Sequence, residues 1–454
     1  MTCEREIARF VCAAAFEEIP AAALHTARDV VLGVVGTTVA GASAEGCETV
    51  VEMTRDLAGK PEASILVHGY KAPAQQAAFA NAIMARALDF EDSMAPGAHA
   101  GAAVVPAALA AAELAGGASG ADFLAAVTVG LELAVRMNLG ESEYDGFDPT
   151  GVCVPFGATA AAARILGLSE EETWHALALA FCRCGGSFQA NVDGALAVRM
   201  IQGWTAETGV TCARLAGRGI TGPRNFLDGV YGYFHLFGRD RVGAEELLPG
   251  LGVEYQLDRL VFKKFPSCGG TQSATELVLG LVEDEGLEAR EVERIEVRIV
   301  PYLDRLVGHP FLLGDNPRVN AQFSVRYCVA NALLRKASTL AHFEPDMIRD
   351  PEVPALVDRV DVVADPDLDA RGHSAADVLV VSKDGREYLR STDIGPGFPG
   401  NPLTRDDQVR HFRDCVAFGA NPMLDAKRGE QIVDAVEYLD EMDDVRALIS
   451  LLLP

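Results

Sequence analysis

The stretch Ala87-Leu88-Asp89-Phe90-Glu91-Asp92-Ser93-Met94-Ala95-Pro96-Gly97-Ala98-His99, followed by the small-residue run 100–115, constrains the chain more than any other. A mostly apolar, helix-like run (74–88) delivers three carboxylates, a hydroxyl and an imidazole into a Pro/Gly turn, and an Ala/Val/Leu helix carries the chain away. Two readings of this turn stand side by side. Acid, hydroxyl and imidazole between buried helices are the ingredients of a general acid/base site. Asp and Ser are also favoured helix caps, and the histidine then serves packing alone.

With 454 residues the chain is long enough for two domains and a large core. Apolar residues make up 49% and glycine contributes 44, a composition suited to closely packed helices. The net charge of −26 excludes nucleic acid as a partner, because phosphate-backbone binding needs clustered Lys and Arg. It leaves an anionic small molecule open, since a few local cations set the potential of a closed cleft. The ten cysteines (3, 12, 47, 153, 182, 184, 212, 268, 328, 415) are scattered through apolar stretches, and the Cys182-Arg183-Cys184 spacing is wrong for a zinc knuckle. They read as reduced, mostly buried thiols of a cytoplasmic protein. The N-terminal residues 1–6 lack the pattern of a signal peptide, and the 100–115 run is too short and too rich in Ala and Gly for a membrane span.

Taken in order, residues 4–58 read as helices, with Gly33, Gly36 and Gly41 marking a close helix–helix approach. A short extended insertion (61–70) precedes the helix that opens at Pro73, and 101–135 is again helical. The loop 144–151 leads into helices at 155–166, 170–182 (with the Ser169/Glu172 capping box) and 204–216. Beyond residue 260 the character changes. A helix is expected at 272–284, an alternating strand at 292–300, a helix at 321–335 and strands at 358–363, 377–382 and 386–391, the last two joined by Lys383-Asp384-Gly385. Helices return at 404–416 and 422–452. The expected fold is mainly α with a second α+β domain: a large discontinuous all-helical domain (1–261 and 396–454) and a smaller α+β lid (262–395).

Further candidates carry charge. Lys263 and Lys264 precede Phe265-Pro266 and a glycine-rich helix start whose N–H groups suit a carboxylate, unless both lysines are simply solvated at a domain junction. Arg199, set among apolar residues, is either paired in the core or poised to clamp a carboxylate. Neither phosphate-binding glycine motif is present, which disfavours nucleotide cofactors. Ser93 and Ser267 lack a nucleophile elbow, Cys268 reads as packing rather than as an activated thiol, and no His/Glu/Cys spacing resembles a metal site.

Together these stretches resemble the MmgE/PrpD superfamily of 2-methylcitrate dehydratases, cis-aconitate decarboxylases and iminodisuccinate epimerases, along essentially the whole chain. The matching segments are Leu32-Gly-Val-Val-Gly-Thr-Thr-Val-Ala-Gly41, the Asp89 to His99 turn with Val105-Pro106, and Gly146-Phe-Asp-Pro-Thr-Gly151 with Phe156-Gly157. They continue with Gly203-Trp-Thr-Ala-Glu-Thr-Gly209 and Gly219-Ile-Thr-Gly222, Lys263-Lys-Phe-Pro-Ser-Cys268, Ala321-Gln-Phe-Ser-Val-Arg-Tyr327, and Asn401-Pro402 with Phe412-Arg-Asp-Cys415.

The resemblance implies a homodimer, no metal, no organic cofactor, and chemistry that begins at the proton α to a carboxylate. It implies that Asp89, Ser93, His99 and Lys263 occupy cleft positions. His99 then suits proton transfer, Lys263 and Arg199 carboxylate binding and stabilisation of the enolate-like charge, and Asp89 the orientation of His99 or relay of a proton, a role that the sequence does not separate from Glu91 or Asp92. Ser93, Asp148, Arg199, Lys264, Cys268 and Gln272 are the candidates for holding substrate. The departures stand out: Asp148 replaces a histidine of many relatives and Gln272 a histidine of some, and the Ala197-Val198-Arg199-Met200-Ile201 stretch loses a lysine, at Val198, and a histidine. Fewer cations imply fewer carboxylates than a tricarboxylate carries, or an amine. The expectation is a cofactor-independent lyase acting on a small carboxylic acid. An epimerase, a non-catalytic acid-binding relative and an assembly scaffold are the alternatives.

Overall fold

The computed structural model describes residues 2–140, 144, 146–419 and 424–454; Asp145 of the 144–151 loop and residues 422–423 of the last expected helix lie outside them. The chain is mainly α with a second α+β unit. Six helices position the site: α1 (Ala21–Gly41), α2 (Ala74–Arg86), α3 (Gly101–Ala115), α4 (Gly120–Met137), α5 (Pro149–Ile165) and α6 (Met200–Ala216). Helix α5 packs against α3, α4 and α6, while α2 packs against α1, α3 and α6. Small side chains set these distances: a Cβ on Gly41 would stand 2.1 Å from the Met84 carbonyl oxygen, and one on Gly36 would stand 3.0 Å from the Phe412 ring. Gly33 does not share that role, having nothing within 4 Å of an added Cβ.

One apolar core runs from Ile7 to Leu260 and takes in Phe412, Ile432 and Leu448 from the far end of the chain. A second core joins Val198 to residues between Cys268 and Val380. It is built from α7 (Gln272–Glu285), α8 (Val325–Arg335) and a four-stranded sheet of β3 (Val292–Ile299), β4 (Val360–Ala364), β5 (Ala376–Ser382) and β6 (Glu387–Thr392). The order is β4-β3-β5-β6, with β3 and β4 parallel and the other pairs antiparallel. The β5–β6 turn is Lys383-Asp384-Gly385, Gly385 taking a φ of 85°. The segment after the sheet returns as α9 (Arg405–Gly419), which lies along α1.

The insertion near residue 65 is a two-stranded hairpin, β1 (Ala63–Ile65) with β2 (Tyr70–Ala72). The helix expected at 155–166 starts six residues earlier because Asp148 accepts the Thr150 N–H and Pro149 takes the first helical position. The helix expected at 321–335 is broken at Phe323–Ser324, where Ser324 accepts the Tyr327 N–H and starts α8 anew. The last expected helix is three short pieces, Ala426–Glu437, Leu439–Glu441 and Arg446–Leu451. Six of the ten free cysteines are buried and Cys182 is exposed. Among the described residues no helix is long and apolar enough to cross a membrane.

Gly41→Ala and Gly33→Ala should therefore shift stability in opposite directions. The first forces α1 off α2 and should cost about 1–3 kcal/mol. The second only removes helix-interior glycine and should add up to about 1 kcal/mol. Chemical denaturation of both variants checks this.

Candidate active site

Helix α2 ends at Arg86, and Asp89 then takes a φ of 52°, a left-handed conformation that Asp tolerates better than most side chains. The kink folds Asp89 back onto its own helix, where the Arg86 guanidinium donates to its carboxylate. From far along the chain Lys263 Nζ donates to both Asp89 O and Asp89 Oδ1, at 2.9 Å each. Glu91 Oε1 stands 3.2 Å from Arg86 Nε and 2.8 Å from His99 Nδ1. Two carboxylates, two cations and an imidazole thus form one buried chain.

The turn that carries His99 is held at every step. Ser93 and Val261 exchange backbone N–H···O bonds of 2.9 and 2.7 Å, and Met94 pairs with Ala98 across the cis Ala95–Pro96 peptide and Gly97. The Tyr302 hydroxyl donates to the Pro96 carbonyl. His99 N–H donates to Thr150 Oγ1 at 3.1 Å, next to the Asp148 cap. Asp92 Oδ2 accepts the Gly101 N–H at 2.9 Å where α3 begins, and a Cβ on Gly101 would lie 2.0 Å from Asp92 Oδ1. Only glycine fits there.

Burial and neighbours split the acids. Burial alone would raise the Glu91 carboxyl, but Arg86, Lys263 and His99 outweigh it and hold it down at about 2. Asp92 lacks such partners. Burial, reinforced by the Glu91 charge, pushes it up to about 7 against the Gly101 N–H. Asp148 is raised by burial to about 6. His99 is lowered, first by burial and then by the Arg86 and Lys263 charges, which exceed the pull of Glu91. His411, whose Nε2 lies 2.9 Å from the Phe90 carbonyl, is pushed down to about 4 by burial and buttresses the turn from α9.

His99 also lines a cleft between the two units. Ser93 and Cys268 line it as well. Burial pushes the Cys268 thiol up to about 11, so it does not serve as a thiolate. Asp89 and Lys263 stand behind His99 rather than in the lining, and Asp148 caps α5. The other expected substrate contacts are engaged elsewhere. Arg199 donates to the Glu45 carbonyl at 2.7 Å, Lys264 pairs with Glu276 at 2.7 Å, and Gln272 bridges the backbone of residues 264, 265 and 267. Gln272 therefore braces the turn that presents Lys263.

Sequence reasoning missed Arg86, whose spacing of three from Asp89 on a helix end was the available signal. It also missed Asn191, Tyr302 and His373 in the cleft wall, which no linear pattern marks. Asp89, Glu91 and His99 bring one potential ligand atom each to within 4.8 Å of one another. That grouping does not fit a metal ion, because Arg86 and Lys263 already supply the two positive charges that the carboxylates neutralise.

Asp92→Asn gives a signed test. An acid whose pKa is raised by folding is most stabilising while protonated, so its contribution falls as pH rises from about 4 to about 7. The asparagine keeps the acceptor for Gly101 without ionising. Its melting temperature should gain on the wild type between about pH 4 and 7 and level off above that.

Residues 5–243 match the MmgE/PrpD N-terminal domain and residues 265–441 the MmgE/PrpD C-terminal domain. The chain is 28% identical over 399 residues to the cis-aconitate decarboxylase of Homo sapiens, covering 84% of this chain and 79% of the relative. It is 26% identical over 466 residues to the cis-aconitate decarboxylase-like protein oryM of Aspergillus oryzae, covering 96% and 94%. It is 24% identical over 294 residues to the 2-methylcitrate dehydratase of Escherichia coli, covering 62% and 59%. On the strength of both domain matches, the chain belongs to the MmgE/PrpD family.

Proposed function

We propose that this chain is a lyase acting on a small carboxylic acid, with His99 as the base that removes the proton α to the carboxylate. The observation that carries the reading is the 2.8 Å contact between Glu91 Oε1 and His99 Nδ1 at the wall of the cleft. Nδ1 faces only acceptors, the Glu91 carboxylate and the Asp92 carbonyl at 3.1 Å, so it holds the proton and Nε2 holds the lone pair. The lowered pKa keeps the imidazole neutral near pH 7, and Glu91 stabilises the imidazolium formed on proton transfer.

As the α-proton moves to Nε2, its bonding pair delocalises into the substrate carboxylate. The Ser93 hydroxyl and the Gly269–Gly270 backbone, which line the cleft at the start of α7, are the groups available to that oxyanion. The field of Lys263 and Arg86 acts on it through a low-dielectric wall. In dehydration a β-hydroxyl then leaves with a proton returned by His99, giving an alkene and water. The names of the relatives, a decarboxylase and a dehydratase, support lyase chemistry over other outcomes. A second reading, epimerisation, draws on His373, the other imidazole in the lining, as a base for the opposite face.

The test is NMR in D₂O with a panel of small hydroxy and unsaturated acids. Deuterium entry at the α-carbon with loss of water or CO₂ is expected; entry with inversion alone selects epimerisation. A ligand that raises the melting temperature without any exchange would sink the lyase reading and leave a binding protein. His99→Gln should lower turnover by about 10²–10⁴-fold. The rate should rise with pH and level off at an apparent pKa below 6.5. In Glu91→Gln that pKa should fall further, because a raising charge is gone, while kcat drops as the imidazolium loses the carboxylate that stabilises it.

A further inference from the structure

The cleft has an unexpected composition for a site that takes acids. Among the described residues its lining contains no lysine and no arginine. Lys263 is spent on Asp89, Arg199 on Glu45 and Lys264 on Glu276. Arg305 belongs to a neighbouring outer chamber, which shares Phe188, Tyr302 and Leu306 with the cleft. The wall is instead apolar: Met94, Phe188, Leu303, Leu306, Phe323 and Phe398.

A second or third carboxylate pressed against such a wall would be desolvated without a counter-charge, which disfavours it strongly. An alkyl group would be favoured there, because its apolar surface leaves water. Asn191 adds a polar requirement. It is 4% exposed, lines the cleft, and its Oδ1 has no hydrogen-bond partner among the described residues. A buried acceptor left open in this way matches a donor on the ligand.

We propose that the site takes an acid with a single carboxylate, an apolar branched substituent and a hydroxyl that donates to Asn191 Oδ1, a small 3-hydroxy acid rather than a tricarboxylate. This rests on the lyase reading only in where the hydroxyl sits, β to the proton that His99 removes.

Binding is measured by titration calorimetry on the full chain carrying His99→Gln, so that turnover does not intrude. The probes are 3-hydroxy-4-methylpentanoate, its deoxy analogue 4-methylpentanoate, citrate and cis-aconitate. The hydroxy acid should bind at least about tenfold tighter than either tricarboxylate, and about tenfold tighter than the deoxy acid. Asn191→Ala should erase the second preference and keep the first. Leu306→Arg, which places a cation in the wall, should shift affinity toward citrate. Tighter binding of a tricarboxylate, a hydroxyl preference that survives Asn191→Ala, or no binding by any probe would overturn the proposal. Selective binding without exchange in the wild type would leave it standing while the lyase reading falls.

Discussion

The site depends on a buried chain of opposite charges: Lys263, Asp89, Arg86, Glu91 and His99 in sequence of contact. None of these side chains is tolerable alone at that depth, because an isolated buried charge costs far more than any one hydrogen bond returns. Together the two carboxylates and two cations cancel, and the imidazole is left neutral at the end. The same arrangement ties distant parts of the chain: Lys263 ends on the backbone and side chain of Asp89, 174 residues earlier.

This arrangement divides the labour between cations and substrate. Lysine and arginine near a cleft invite assignment to a carboxylate ligand, yet here they act on the protein's own acids. In the proposed mechanism their effect is indirect. They hold Glu91 ionised, and Glu91 stands 2.8 Å from His99 Nδ1. With those charges already neutralised, the cleft itself is free to be apolar, and Asp148, Gln272 and Val198 serve the frame rather than the cleft. Asp148 caps a helix whose Thr150 holds the His99 backbone, Gln272 ties a turn, and Val198 joins the second core.

Much of the frame was legible beforehand. The alternation in 292–300 and the Lys383-Asp384-Gly385 turn marked sheet elements, and the Ser169/Glu172 box marked a helix start, because each depends on neighbours in the chain. The break at Phe323–Ser324 was not legible. A continuous apolar period hides it, and Ser324 reads as a cap only once its contact with the Tyr327 N–H is seen. Likewise Gly33 and Gly41 look alike on one helix, and only the neighbour across α2 separates them.

The sequence by itself determined the fold class and the family, and it marked the turn of the candidate site, since periodicity, turn residues and motif order are properties of the chain. Which acid serves His99 was decided by tertiary structure. Asp89, Glu91 and Asp92 lie within four residues, and they differ only in what reaches them: Lys263 and Arg86, then Arg86 and His99, then a single backbone N–H. The character of the cleft was decided in the same way. Asn191, Tyr302 and His373 meet across more than a hundred residues of chain, and whether a lysine faces a ligand or a carboxylate is a matter of a few ångströms that no spacing encodes.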